Sequence, residues 1–223
     1  MPGKEKNSVK RVLIVDDHPM MRKGLAQLID DEPDLKVDGE ADTAGQALDA
    51  LAARKFDLIL LDISLPDKNG LELIKDILTL RPGLPILVVS MHDEATYAER
   101  VLRAGGRGYL MKQEGGKKLL EAIRQVLDGR IYLSERMAAH ILEIFSGRRA
   151  ETVSPMERLS DREFEVFQLI GQGLGTREVA TRLHLSVKTV EVHRGNIKKK
   201  LKLKSATDLV RQAVRWVEMD ERS

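Results

Sequence analysis

Residues 56–70 read FDLILLDISLPDKNG, and the fold turns on how the apolar run inside them ends. Leu58, Ile59, Leu60 and Leu61 are apolar at every position, as in a strand buried on both faces at the centre of a parallel sheet. The run stops at a bare carboxylate, Asp62, and passes into a turn rich in Pro, Asp, Asn and Gly. A central strand ending on an acid delivers that acid to the crevice at the carboxyl end of the sheet.

Working outward, further short apolar runs occupy residues 11–15, 35–39, 84–89 and 108–111, with the central strand at 57–61. Each is followed by helical spacing, over residues 18–30, 43–54, 70–80, 94–103 and 116–127. Pro19 fits a first helical turn and Thr43 a helix cap. Five βα units between residues 11 and 127 predict a doubly wound, five-stranded parallel sheet. Its carboxyl edge receives Asp16 and Asp17 from the first strand, Asp62 from the third, Ser90 from the fourth and Lys112 from the fifth.

Composition frames this reading. At 223 residues with 42% hydrophobic content, the chain suits two domains, each with its own core. It has no cysteine, which excludes disulfide staples and thiolate metal sites. The start, MPGKEKNSVK, lacks an apolar leader core, and no run approaches the length of a membrane span, so a soluble, cytoplasmic protein is expected. Residues 151–223 carry 14 Lys and Arg against 11 Asp and Glu, whereas residues 1–150 carry 23 against 24. The excess concentrates in residues 186–204, the place for a polyanion.

Asp16, Asp17 and Asp62 crowded together repel one another unless a divalent cation neutralises them. Magnesium, a hard ion that takes oxygen ligands and often a phosphate, suits that trio. With charge so shielded, an Asp62 oxygen can attack phosphorus as a carboxylate nucleophile. Lys112 can hold a phosphoryl oxygen, and the Ser90 hydroxyl can donate to another. Taken singly, each residue has a plainer use: Asp17 or Ser90 as a helix cap, Lys112 as a solvated lysine, Tyr109 as packing. Their arrival at strand ends in chain order carries the chemical reading. His18 and His92 are expected to be polar residues at the surface with no assigned role.

The set VLIVDDHP, LILLDISLPDKNG, ILVVSMHD and GYLMKQ resembles the receiver domain of bacterial two-component response regulators, over residues 9–129. That resemblance implies a flavodoxin-like sheet of strand order 2-1-3-4-5 with Asp62 as phosphoacceptor. It implies magnesium ligation by Asp17, Asp62 and the Ser64 main-chain carbonyl, with Asp16 acting largely through water. Tyr109 matches the family's aromatic switch, and Ser90 stands where many relatives have threonine. A sensor histidine kinase is the implied phosphodonor.

After Gly129 the pattern changes. Residues 130–156 read as a linker with one helix, at 134–145, followed by a polar stretch over 146–155. From Leu159 the chain reads as all helix. LSDREFEVFQLIGQG opens with Ser160 and Glu163 in capping-box spacing and an apolar face of Phe164, Phe167, Leu169 and Ile170. GTREVATRLHL and SVKTVEVHRGNIKKKLKLKS follow, joined by a brief turn, the second basic, as in a helix-turn-helix. ATDLVRQAVRW supplies a last helix. Residues 157–220 thus resemble the LuxR-type DNA-binding domain, and both halves together resemble the NarL/FixJ family.

In the basic helix, Val190, Ile197 and Leu201 share a core face. Lys188, Thr189, Arg194, Lys198 and Lys199 face outward as phosphate contacts. By resemblance the base-facing positions are Glu191, Val192 and Gly195. Glu191 suits a cytosine amino group and Val192 a thymine methyl; Gly195 either permits close approach or is simply tolerated. His193 and Asn196 are expected to be structural. Phosphorylated copies are expected to dimerise through Val210, Ala213, Val214 and Val217 on paired half-sites of double-stranded DNA. RNA polymerase is the further partner such a regulator would address. The expected function is phosphorylation-controlled transcription rather than enzymatic turnover. A phosphohydrolase with a strand-terminal Asp would want a second acid where Ser64 stands. A phosphorylation-independent regulator or an adaptor that never meets DNA are the other readings.

Overall fold

A computed structural model of the protein describes residues 9–145, 155–183 and 185–220. The polar stretch expected at 146–155 lies, up to residue 154, outside them. The chain divides into two compact units, with the boundary between Glu135 and Arg136.

The first unit alternates β1 (Lys10–Val15), α1 (Pro19–Asp30), β2 (Leu35–Ala41), α2 (Ala44–Ala53), β3 (Leu58–Leu61), α3 (Gly70–Leu80), β4 (Ile86–Ser90), α4 (Glu94–Ala104), β5 (Gly108–Met111) and α5 (Gly116–Leu127). Every strand pair is parallel and the order is β2-β1-β3-β4-β5, as the sequence predicted. The four residues of β3 are all buried, which is why they show no polar alternation. β2, paired on one side only, is largely half-exposed between its buried ends. The register slips beside Gly39, where an added Cβ would press on Phe56 and Leu13 at 3.0 and 3.1 Å. β4 begins two residues later than expected, at the residue after Pro85, which has no N–H to give a ladder.

Helix starts follow the side chains that cap them. Thr43 accepts from the Gln46 N–H at the head of α2, and Asn69 from the Leu71 N–H at the head of α3. The strand order reverses between β1 and β3, so the ligand crevice falls where Asp16, Asp17 and Asp62 emerge.

Residues 130–134, expected to begin the linker, are fastened to the first unit. The Tyr109 N–H donates to the Tyr132 carbonyl at 3.0 Å, and the Tyr132 N–H to the Arg107 carbonyl at 3.0 Å, covering the outer edge of β5. The Ser134 N–H donates to Glu94 Oε1 on α4 at 2.8 Å. Gly108 makes this approach possible, since a Cβ there would sit 2.9 Å from the Tyr132 carbonyl oxygen.

α6 (Glu135–Phe145) follows, close to its expected span. The second unit then contains α7 (Asp161–Gly171), α8 (Thr176–Arg182), α9 (Val187–Lys200) and α10 (Ala206–Asp220). The capping box is formed: the Glu163 N–H donates to Ser160 Oγ, and the Ser160 N–H to Glu163 Oε2. Phe164, Phe167 and Ile170 are buried as expected, whereas Val166 takes the core place anticipated for Leu169, which is half-exposed. Trp216 of α10 meets Phe164 and Phe167 edge-on at 5.1 and 6.1 Å. Gly171 lets the two helices cross, because its Cβ would lie 2.5 Å from the Ala213 carbonyl oxygen.

Glu163 is also the buried partner of Lys200 at the end of α9. Burial pushes its carboxyl up, but Lys200 and the Ser160 N–H outweigh that and leave it below its ordinary value of 4.5. A carboxyl lowered in the folded state stabilises above that ordinary value, and the contribution fades as pH falls through and below it. Glu163→Ala is therefore expected to destabilise the second unit by about 2 kcal/mol at neutral pH, from a lost cap and a half-buried ion pair. The gap should shrink below pH 4, as read by thermal melts across pH.

Candidate functional site

Three carboxylates and one ammonium meet at the carboxyl edge of β1, β3 and β5. The Lys112 side chain is 2% exposed, and its Nζ lies 2.7 Å from Asp16 Oδ2 and 2.7 Å from Asp62 Oδ2. Asp16, Asp62 and Ser90 are buried. Asp17 is half-exposed, yet its Oδ1 is buried and accepts no hydrogen bond; His18 Nδ1 stands 2.7 Å away without hydrogen-bonding alignment. One ligating atom from each of Asp16, Asp17, His18 and Asp62 falls within a 4.8 Å cluster. Three carboxylates against one ammonium, with a buried oxygen that accepts no hydrogen bond, fit a hard divalent cation such as magnesium. Burial drags the Lys112 ammonium toward neutrality, but Asp62 and Asp16 overcome it and raise its pKa above the usual 10.5. The pair is thus fully formed below that value and is lost only as pH rises through the raised one.

The loop after β3 is held from three sides. The Gly70 N–H donates to the Ile63 carbonyl at 2.9 Å, and Ser64 bridges Asn69. Asp67 caps α2 from outside, accepting from the Ala44 and Gly45 N–H groups at 2.9 and 3.0 Å. Gly70 has no room for a side chain: a Cβ would sit 2.6 Å from Ile63 Cα and 2.9 Å from the Asp62 carbonyl oxygen. Gly70→Ala is expected to displace Asp62 and Ser64 and to cost roughly 2 kcal/mol or more, visible as a lowered melting temperature.

His92, expected from the sequence to be a polar surface residue, lies at the centre of the loop contacts instead. Its Nε2 is hydrogen-bonded to Ser64 Oγ at 2.9 Å, and its carbonyl accepts from the Tyr109 hydroxyl at 2.7 Å. Its N–H approaches Ser90 Oγ at 3.4 Å, and its ring leans on Tyr97 at 4.8 Å. Tyr109 is buried, pointing inward under the β4–α4 loop. Nothing in a lone histidine after a strand end signals these contacts.

On α9, Val190 and Ile197 are buried as expected, and Leu201 is half-buried. Lys188, Glu191, Val192, Gly195 and Lys199 are exposed; Arg194 and Lys198 are half-buried. Thr189 is occupied in the helix cap, its N–H donating to Ser186 Oγ and its hydroxyl 2.7 Å from the same atom. The dimer set divides. Val210 is 40% exposed, whereas Ala213 is 0% exposed and, with Val217, packs on Gly171 of α7 inside the unit. Val214 is half-buried. No described helix is long and apolar enough to cross a membrane.

Residues 12–124 match the family described as response regulator receiver domain, and residues 157–213 match the bacterial regulatory proteins of the luxR family. The nitrate/nitrite response regulator protein NarL of Escherichia coli K12 is 36% identical over 211 residues, covering 94% of this chain and 95% of that protein. The oxygen regulatory protein NreC of Staphylococcus haemolyticus is 33% identical, covering 92% and 97%. Among solved structures, RcsB of Salmonella enterica serovar Typhimurium, bound to promoter rprA with phosphomimetic BeF3-, superposes with a TM-score of 0.69. It is 25% identical, over 91% of this chain and 96% of that one.

Proposed function

The chain belongs to the NarL/FixJ family of two-component response regulators, and from that premise we propose that it is a transcription factor switched by phosphorylation of Asp62. The observation that carries the proposal is the Lys112 ammonium held 2.7 Å from both Asp16 and Asp62 at the reversal point of the sheet. An Asp62 oxygen attacks the phosphorus of a phosphohistidine on a sensor kinase; the P–N bond breaks and an acyl phosphate forms on Asp62. Asp17, Asp62 and the Ser64 carbonyl, with Asp16 alongside, would hold magnesium, which would supply shielding for the charge of the incoming group. Lys112 leaves its carboxylate partners for a phosphoryl oxygen, and Ser90 donates to another. His92, tied to Ser64, Ser90 and Tyr109, moves with them and passes the change to β5 and α4.

The second unit does the binding. α9 enters the major groove of duplex DNA, with Lys188, Arg194, Lys198 and Lys199 on phosphates and Thr189 fixing the start of the helix. RcsB, solved bound to promoter rprA, supports DNA binding as such by homology. Phosphorylated copies pair, with Val210 and Val214 the members of the expected set left for a second copy. Paired half-sites, RNA polymerase nearby and a cytoplasmic setting complete the reading.

Salt-dependent binding of the full chain to promoter-length duplexes tests it. Affinity should fall steeply with salt, and Arg194→Ala with Lys198→Ala should weaken binding more than tenfold and flatten the logarithmic salt slope by about 0.9 per lost phosphate contact. Equal binding by parent and variant at every salt concentration would remove α9 from the interface.

A further inference from the structure

The amino edge of the sheet, opposite the phosphoacceptor crevice, holds a cleft of about 470 Å³ between the end of α2, the entry to β3 and the α3–β4 loop. The sequence shapes it with RPGLP at residues 81–85. Pro82 has no N–H to continue α3 and biases Arg81 away from the helical region, and Arg81 leaves the helix at φ −134° and ψ 79°. Gly83 turns the chain at φ +81°, a left-handed backbone that glycine takes without strain. The Leu84 N–H closes the turn on the Arg81 carbonyl at 3.2 Å. From Asp57 at the cleft to Asp62 the chain runs roughly 16 Å, at about 3.3 Å per residue.

The walls of the cleft are apolar and its free charge has one sign. Buried Leu51 and Phe56 line it beside Leu84, and Leu80 leaves 44% of its surface in water there. The one carboxylate among the described residues lining it, Asp57, is already engaged. Its Oδ2 accepts from the Arg11 N–H at 2.8 Å, and its Oδ1 lies 3.6 Å from Lys10 Nζ. Lys55 and Arg81 also line the cleft, and neither forms an ion pair among the described residues. Arg81 Nη2 donates to the Leu51 carbonyl at 2.9 Å, which ties the guanidinium to the far side, at α2. Arg81 Nε is buried and has no hydrogen-bond partner. A buried N–H without an acceptor is unfavourable, so the fold keeps a donor here that it does not use.

We propose that this cleft is a binding site for a small monocarboxylate with an aromatic or aliphatic body. The carboxylate accepts from Arg81 Nε and takes Lys55 Nζ as its counter-charge, while the body covers Leu51, Phe56 and Leu84. The cleft falls within the size range of small-molecule sites, about 300–1,000 Å³. An amine would meet two cations, and inorganic phosphate would leave the apolar walls wet. The site needs neither phosphorylation nor DNA, so it stands or falls apart from the function proposed above.

The test is a titration of the isotope-labelled full chain with benzoate at constant ionic strength, followed by amide chemical shifts. Saturable shifts should gather at Leu51, Gly83 and Leu84 and at the Arg81 Nε–H. Benzamide and benzylamine keep the ring and change the charge, and inorganic phosphate lacks the body. Each should bind at least about tenfold more weakly than benzoate, the scale of one charge-assisted hydrogen bond. Lys55→Glu, at an exposed side chain, should melt with the parent and bind benzoate at least about tenfold more weakly. Asp62→Asn should bind it as the parent does, which separates this site from the switch. Shifts that fail to saturate, that gather on α9, or that benzamide or phosphate reproduces at equal concentration would overturn the proposal. So would Lys55→Glu binding benzoate as tightly as the parent.

Discussion

Asp62→Asn is expected to take up no phosphoryl group from acetyl phosphate and magnesium under conditions in which the parent chain should take one. The amide keeps the size of the carboxylate but replaces its two oxygens, which share one negative charge, with a neutral carbonyl oxygen and an NH2. The nucleophile is lost and one negative charge leaves the cation site at the same stroke. A fall in rate of more than about 10³ is expected, the scale on which covalent nucleophiles act. Intact mass reports it, and a chelator should reduce the parent to the level of the variant. Uptake of one group by Asp62→Asn at the parent's rate would place the acceptor elsewhere.

The second large effect concerns Lys112. Its ammonium is 2% exposed and touches Asp16 and Asp62 at 2.7 Å each. Removing it leaves two buried carboxylates facing each other, with Asp17 beside them, and breaking a buried pair from one side costs about 3–5 kcal/mol. Lys112→Met keeps most of the stem, so it isolates charge from packing. It should lower the melting temperature of the first unit by roughly 10 °C, and magnesium should narrow the deficit by supplying positive charge to the same oxygens. A Lys112→Met protein as stable as the parent without magnesium would mean that the ammonium is not what balances the pocket.

These effects were legible in the sequence because they sit at strand ends. An all-apolar run such as LILL declares its burial, and chain order then assigns Asp16, Asp17, Asp62, Ser90 and Lys112 to one edge. Contacts that depend on how loops meet leave no such mark. His92 and Ser64 lie 28 residues apart and join only because the β3–α3 and β4–α4 loops fold toward each other. The attachment of Tyr132 beside β5 is made by backbone groups, which carry no side-chain pattern. Helical spacing put Ala213 and Val217 on an apolar face but could not tell whether α7 or a second copy covers it; Gly171 gives α7 that place. Gly195 shows the converse, since only the open space around it separates a glycine the fold needs from one it does not.

The measurement that bears most directly on the switch is the affinity of the full chain for promoter-length duplexes before and after magnesium-dependent phosphorylation, with phosphoryl occupancy read by intact mass on the same samples. The parent should bind at least tenfold more tightly once phosphorylated, and Asp62→Asn should not respond. Unchanged affinity in a fully phosphorylated parent, or an equal response from Asp62→Asn, would contradict a regulator controlled at Asp62.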